Sequence, residues 1–245
     1  MTSTQRFTAL DVFRGMTVCF MIIVNASGNG ATTWWHLQHA AWHGFTPTDL
    51  VFPSFLFAVG NAMSFVLPRW ETKSDLYVAS KILKRTTLIF LLGYLMYWFP
   101  FFKLDKELHV IASPISQTRI MGVLQRIALC YGIAALLIHF FKLRTTLFIS
   151  AGLLMGYWIV LRVFGDAGQE FSMTGNIGHH IDQWLMGEDH LYHGEGAAFD
   201  PEGWLSTLPA IVNVVAGYTA GNYIRTNGIN YETLSKLLLA GFACL

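Results

Sequence analysis

Charged side chains are scarce in this chain. Asp, Glu, Lys and Arg supply 13% of its 245 residues, against about 25% in a soluble domain. Apolar residues take their place, 53% of the total, in blocks near the ~20 residues that a bilayer-crossing helix needs. A net charge of +1 gives no electrostatic case for a nucleic-acid partner and leaves membrane lipid as the surrounding. The two-residue alternation of barrel strands is missing, so helices are the remaining way to satisfy the backbone in lipid. Cysteine is sparse as well. Cys19, Cys130 and Cys244 all fall in apolar blocks, with no C-x-x-C and no paired framework, and read as small buried hydrophobes. No A-x-A cleavage site follows the apolar run after Arg6 and Arg14, so that run reads as a first span and not as a removed leader.

Six blocks read as full spans, over residues 12–28, 50–68, 86–102, 120–141, 145–164 and 205–224. A seventh starts at Leu234 and stops 12 residues later at Leu245, too short to cross. It reads as a span cut inside a helix, and the chain as a piece of a longer protein. The expected fold is an all-α polytopic transmembrane bundle, one domain over residues 1–245.

Lysine and arginine are missing from alternate loops. The 29–49 and 165–204 segments contain neither, and only 103–119 on that side has any, as Lys103, Lys106 and Arg119. The opposite side holds Arg6, then Arg69, Lys73, Lys81, Lys84 and Arg85, then Lys142 and Arg144, then Arg225 and Lys236. The positive-inside rule places the N-terminus and these basic loops in the cytoplasm, which predicts a multi-pass protein of the cytoplasmic (inner) membrane. The 165–204 loop is acidic and glycine-rich, with Asp166, Glu170, Asp182, Glu188, Asp189, Glu195, Asp200 and Glu202. It reads as an extracytoplasmic loop more than a helix, either simply solvated or acting as a funnel for a cationic ligand such as an amine.

The outward segment 34–53 carries chemistry that a turn between spans does not need: Trp34, Trp35, His36, His39, Trp42, His43 and Asp49. Three histidines at spacings of three and four would share a helical face and bind zinc, but no H-E-x-x-H is present and no further ligand is obvious. A histidine base or nucleophile oriented by one carboxylate fits better, with no metal. Asp49 is the candidate orienter, and equally a candidate N-cap of the second span. Asn25, near the outer end of span one, is either interhelical glue or a donor to a developing oxyanion. Its match to a glycosylation sequon through Ser27 is too close to the membrane to count.

Arg14 and Asp11 are three apart on one helical face, either an interfacial pair or part of a site for an anionic cytoplasmic cosubstrate. Gln125 and Arg126 lie inside an apolar run, where a charge defaults to function. Arg126 either pairs with a carboxylate such as Glu202 or binds a substrate carbonyl or phosphate. Glu202, in Asp200-Pro201-Glu202-Gly203, opens span six as a helix-entry acid or as a carboxylate that binds or deprotonates an amine or hydroxyl.

Taken in order, Leu10-Asp11-x-Phe13-Arg14-Gly15, Asn25, His39-Ala-x-Trp42-x-Gly44, Asp49-Leu-Val-Phe-Pro53, Gly122-Val-Leu-Gln125-Arg126 and Asp200-Pro-Glu202-Gly with Pro209-Ala resemble the heparan-α-glucosaminide N-acetyltransferase family, and more closely its bacterial transmembrane glucosamine branch. The resemblance runs from about residue 7 to 224. It implies acetyl-CoA as cosubstrate from the cytoplasmic side and a glucosamine-type amino group as acceptor across the membrane. It singles out His39 as the active-site histidine and Asn25 as its partner. On this reading Glu202 anchors the amine, and Trp42 or its neighbours stack on the sugar where they do not serve as an interfacial belt. Gln125, Arg126 and Asp49 complete the substrate side, and Arg14 the cofactor side. A homo-oligomer is compatible with the sequence. The competing class is a sugar or small-molecule transporter, which would favour broken midplane helices and an inverted repeat; neither is evident.

Overall fold

The computed structural model describes residues 7–26, 28, 32–104, 109–194 and 196–244. Arg6, Ser27, Lys106, Glu195 and Leu245 lie outside them. The described residues are mostly helical, with eight α-helices: α1 (Thr8–Asn25), α2 (Val51–Val66), α3 (Asp75–Trp98), α4 (Val123–Phe140), α5 (Leu143–Phe164), α6 (Ile177–Met186), α7 (Thr207–Asn227) and α8 (Tyr231–Ala243). Every block read as a span has a helix in it. By length and hydropathy, however, four segments qualify to cross a membrane: Thr8–Asn25, Pro47–Trp70, Val123–Phe140 and Leu143–Phe164.

Four expectations need correction. The third helix starts at Asp75 and not at residue 86, so Lys81, Lys84 and Arg85 are helical and not part of a loop. Ser74 caps it by accepting the Tyr77 N–H, and long unbranched side chains suit a helix interior. The fold is not purely α: an antiparallel hairpin, β1 (Phe102–Leu104) with β2 (Val110–Ala112), follows α3. The acidic loop also contains α6, capped by Asn176, whose side chain accepts the His179 N–H at 2.9 Å. Of the cysteines, Cys130 is buried, but Cys19 and Cys244 are exposed on apolar outer faces.

α7 is the centre of the bundle. It packs on α2, α4 and α5, while α3 packs on α4 and α1 on α2. The core joins Leu56 and Met63 of α2, Val78 and Ile82 of α3, Cys130, Ala134 and Ala135 of α4, and Ile211, Val214 and Val215 of α7. Small residues let α2 and α7 touch backbone to backbone. A Cβ on Gly217 would stand 2.0 Å from Phe57 O, and one on Gly60 would stand 1.8 Å from Val214 O. In lipid such close approach is a main source of helix association. Gly217→Val is expected to lower stability by about 1–3 kcal/mol or more, because backbone atoms cannot swing aside. Thermal unfolding in detergent measures it, and an unchanged midpoint would contradict this packing.

Candidate active site

The 34–50 segment forms two short 3-10 turns, Trp35–Leu37 and Pro47–Leu50. The second runs directly into α2. Residues between the turns are not helical, so the three histidines share no helical face. His36 instead stacks on Trp35, ring centroids 3.6 Å apart. Threonines pin the segment: Thr48 Oγ1 donates to His36 O at 3.0 Å, and the Thr46 hydroxyl lies 2.8 Å from Gln38 O.

Asp49 is not the N-cap expected for the second span: Thr46 caps the turn Pro47–Leu50, and Asp49 is the third residue of that turn, whose Oδ2 reaches back to accept the Thr46 N–H at 2.9 Å in a capping box. Its Oδ1 lies 2.7 Å from His39 Nδ1. An ionised carboxylate only accepts, so it selects the tautomer with the proton on Nδ1 and leaves the lone pair on Nε2. The His39 side chain is 72% exposed while Asp49 is 26% exposed. The imidazole is therefore held from behind and open in front, the arrangement of a base or nucleophile with an orienting acid.

Trp42 ties this segment to the acidic loop. Its Nε1 donates to Phe171 O at 2.7 Å, and its ring meets Phe199 edge-on at 5.5 Å. Phe199 immediately precedes the Asp200–Gly203 turn. Asn25 is not brought to His39: it ends α1, and its amide donates to Met21 O at 2.8 Å, one turn back along its own helix.

Glu202 does not pair with Arg126. Its partner is Arg119, just ahead of α4. Arg119 grips Asp200 with both ends of its fork, Nε to Oδ2 at 3.1 Å and Nη2 to Oδ1 at 2.6 Å, and Nη2 also donates to Glu202 Oε2. The rings of Tyr97 and Tyr192 flank the guanidinium at 5.3 and 4.8 Å. Arg126 holds the far side of the same turn, donating to Gly203 O at 3.1 Å and to Ser206 Oγ. Sequence reasoning counted Arg119 only as an outer-side cation. The available signal was charge balance, since a loop rich in acid and devoid of base must find cations elsewhere.

Asp182 of α6 was likewise missed. It is buried, accepts the Trp204 N–H at 2.8 Å, and presses so closely on Gly203 that a Cβ there would stand 1.7 Å from Oδ2. Burial pushes its carboxyl up to about 6; the Trp204 N–H opposes the rise, Asp200 adds to it and Arg126 opposes it. The folded value lies above the ordinary 3.8, so the folded state holds the proton more tightly than the unfolded one. Stability contributed by the protonated form is full below about pH 4 and is lost as pH rises through about 6. Asp182→Asn is expected to flatten the stability curve over that window. Melting temperature against pH tests this, and an unchanged slope would contradict it.

Gln125 is fully buried against Gly93 of α3, and neither amide atom has a partner among the described residues. Arg14 lies elsewhere, beside Arg85 and the C-terminal half of α2. It lines a cleft of about 280 Å³ with Trp70, Arg85, Ile127, Tyr131 and the C-terminal half of α2. An adjoining cleft of about 320 Å³ shares Arg14, Ala58 and Val59 and includes Asp11. Arg85 stacks over Tyr131 at 5.6 Å. Arg85 and Trp70 were not singled out by the sequence, because Arg85 looked like a loop residue.

The fold and site define a class: a helical bundle with four segments long and apolar enough to cross a membrane, a carboxylate-held histidine at one end and an arginine-lined cleft towards the other. The heparan-alpha-glucosaminide N-acetyltransferase catalytic family matches residues 6–239, and the chain belongs to that family. It is similar to heparan-alpha-glucosaminide N-acetyltransferase of Mus musculus, at 28% identity over 99% of this chain and 42% of that protein. It is also similar to the Homo sapiens protein of the same name, at 29% identity over 97% of this chain and 41% of that protein. The chain spans about two fifths of the length of the curated relatives it matches.

Proposed function

We propose that this chain forms part of a membrane acyltransferase that moves an acetyl group from acetyl-CoA to the amino group of a glucosamine-type sugar. The observation that carries the reading is the His39–Asp49 pair at 2.7 Å, in the segment whose motif order matches the family. The names of the two relatives support the reaction type and a glucosamine-containing acceptor.

Acetyl transfer joins the amine nitrogen to the thioester carbonyl carbon and breaks the carbon–sulfur bond. The amine must be neutral to attack, and it sheds a proton as the new bond forms. His39 Nε2 takes that proton, and the ionised Asp49 stabilises the resulting imidazolium. The same lone pair would also serve if the acetyl group paused on the imidazole. In that case His39 attacks the thioester first, CoA leaves, and the amine then displaces the acetyl group from the ring. Glu202 anchors the cationic acceptor before it loses its proton, and the acidic loop concentrates it. Trp42 offers a ring face to the sugar. Arg126 supports the acceptor side by holding Gly203 O and Ser206 Oγ, with Gln125 buried beside it on α4, while Asn25 would donate to the carbonyl only after releasing Met21 O.

The donor end is proposed to be the Arg14 cleft. Two arginines, an indole and an apolar wall suit the phosphates, base and pantetheine arm of CoA. Along α2, Ala58 lies nine residues from Asp49, roughly 13 Å at helical rise, so the acetyl end must penetrate beyond the cleft to meet His39. We read residues 1–245 as one multi-pass domain in the cytoplasmic membrane, with α3 and α7 crossing alongside the four strongly apolar segments and the N-terminus inside. α7 is more polar but is enclosed by α2, α4 and α5, which relaxes the need for apolar surface, while α3 offers lipid an exposed apolar face with Leu88, Leu91, Leu92 and Leu95.

The test is product analysis with radiolabelled acetyl-CoA and glucosamine, using the full chain in detergent. Label is expected in N-acetylglucosamine. No label in that product, together with glucosamine carried unchanged across vesicles reconstituted with the chain, would instead support a transporter.

A further inference from the structure

The Asp200–Gly203 turn is held by far more charge than helix entry requires. Arg119 enters from ahead of α4, Arg126 from α4 itself and Asp182 from α6, while Tyr97 of α3 and Tyr192 of the acidic loop enclose the Arg119 guanidinium. Three carboxylates thus face two guanidiniums. The Asp200 side chain has no exposure, whereas those of Arg119 and Glu202 keep 15% each. The cluster therefore has one closed end and one open end, and Glu202 is the carboxylate at the open end. We propose that Arg119 is the positioning residue of the acceptor subsite, holding the Glu202 carboxylate in a fixed direction beside Asp200 so that its open side meets a sugar ammonium.

This rests on the reading of Glu202 as the amine anchor. Its physical basis is geometric: the Arg119 guanidinium bonds both the Asp200 and the Glu202 carboxylates, offsets their mutual repulsion, and fixes the direction of Glu202 with a planar fork as a lysine cannot. The same grip reaches the His39 segment, because Phe199, next to Asp200, abuts Trp42.

The experiment uses the full chain in detergent and measures the Kd of glucosamine and of its neutral analogue glucose at one fixed pH. Wild type is expected to prefer glucosamine. Arg119→Gln is expected to weaken glucosamine binding about tenfold or more and to leave glucose binding unchanged. Arg119→Lys should restore only part of the glucosamine affinity, and it carries the test if Arg119→Gln fails to fold. Unchanged glucosamine binding in the variant tested overturns the proposal. So does equal weakening for both sugars, the mark of a merely structural arginine. Failure of the acetyltransferase reading looks different: wild type would show this charge-dependent binding yet transfer no acetyl group.

Discussion

His39→Ala is expected to lower acetyl transfer by about 100- to 10,000-fold while leaving the fold intact. The side chain is largely exposed and its main polar tie is to Asp49, so truncation opens no core cavity. Asp49 keeps its cap contacts to Thr46 in the variant, so the start of α2 should hold. The loss should fall on kcat, with the acetyl-CoA KM little changed, because the Arg14 cleft contains no part of the 34–50 segment. Steady-state assay beside a melting curve separates chemistry from folding. Near-normal turnover would remove His39 from the mechanism.

Asp49→Asn is expected to cost about 100-fold or more in kcat, and for a separable reason. Asparagine keeps a side-chain oxygen that can accept the Thr46 N–H in the capping box, and Thr46 itself still caps the turn, so the turn into α2 survives. What it cannot do is select the imidazole tautomer, because its amide presents a donor as well as an acceptor. Without a fixed charge behind the ring, the imidazolium formed during transfer also loses its counterion. Asp49→Ala removes the acceptor of the Thr46 N–H and should add a stability loss of about 1 kcal/mol, the usual worth of one hydrogen bond, which Asp49→Asn should not show. Equal stability losses with unchanged kcat would mean that Asp49 serves only the capping box.

The helical frame was legible because the physics that sets span length also writes apolar blocks of that length. Its borders were less so. α3 extends upstream through Lys81, Lys84 and Arg85, since charge stops an apolar run but not a helix. α6 hid behind glycines, although Asn176 capping the His179 N–H is a local start signal. The His39–Asp49 pair was within reach of the sequence because ten residues and a turn separate the partners. The Arg119–Asp200 grip spans 81 residues and depends on how the acidic loop folds back over α4. No local pattern announces that, which is why Arg126 was given the partner that Arg119 has.

The most direct test of the account uses sealed vesicles with the protein in one orientation. Radiolabelled acetyl-CoA is supplied on the face carrying the basic residues, and glucosamine only on the opposite face. The account predicts labelled N-acetylglucosamine on the glucosamine side, with none when acetyl-CoA is confined to that side. Product formed only when both substrates share one face, or no product in any arrangement, would contradict it.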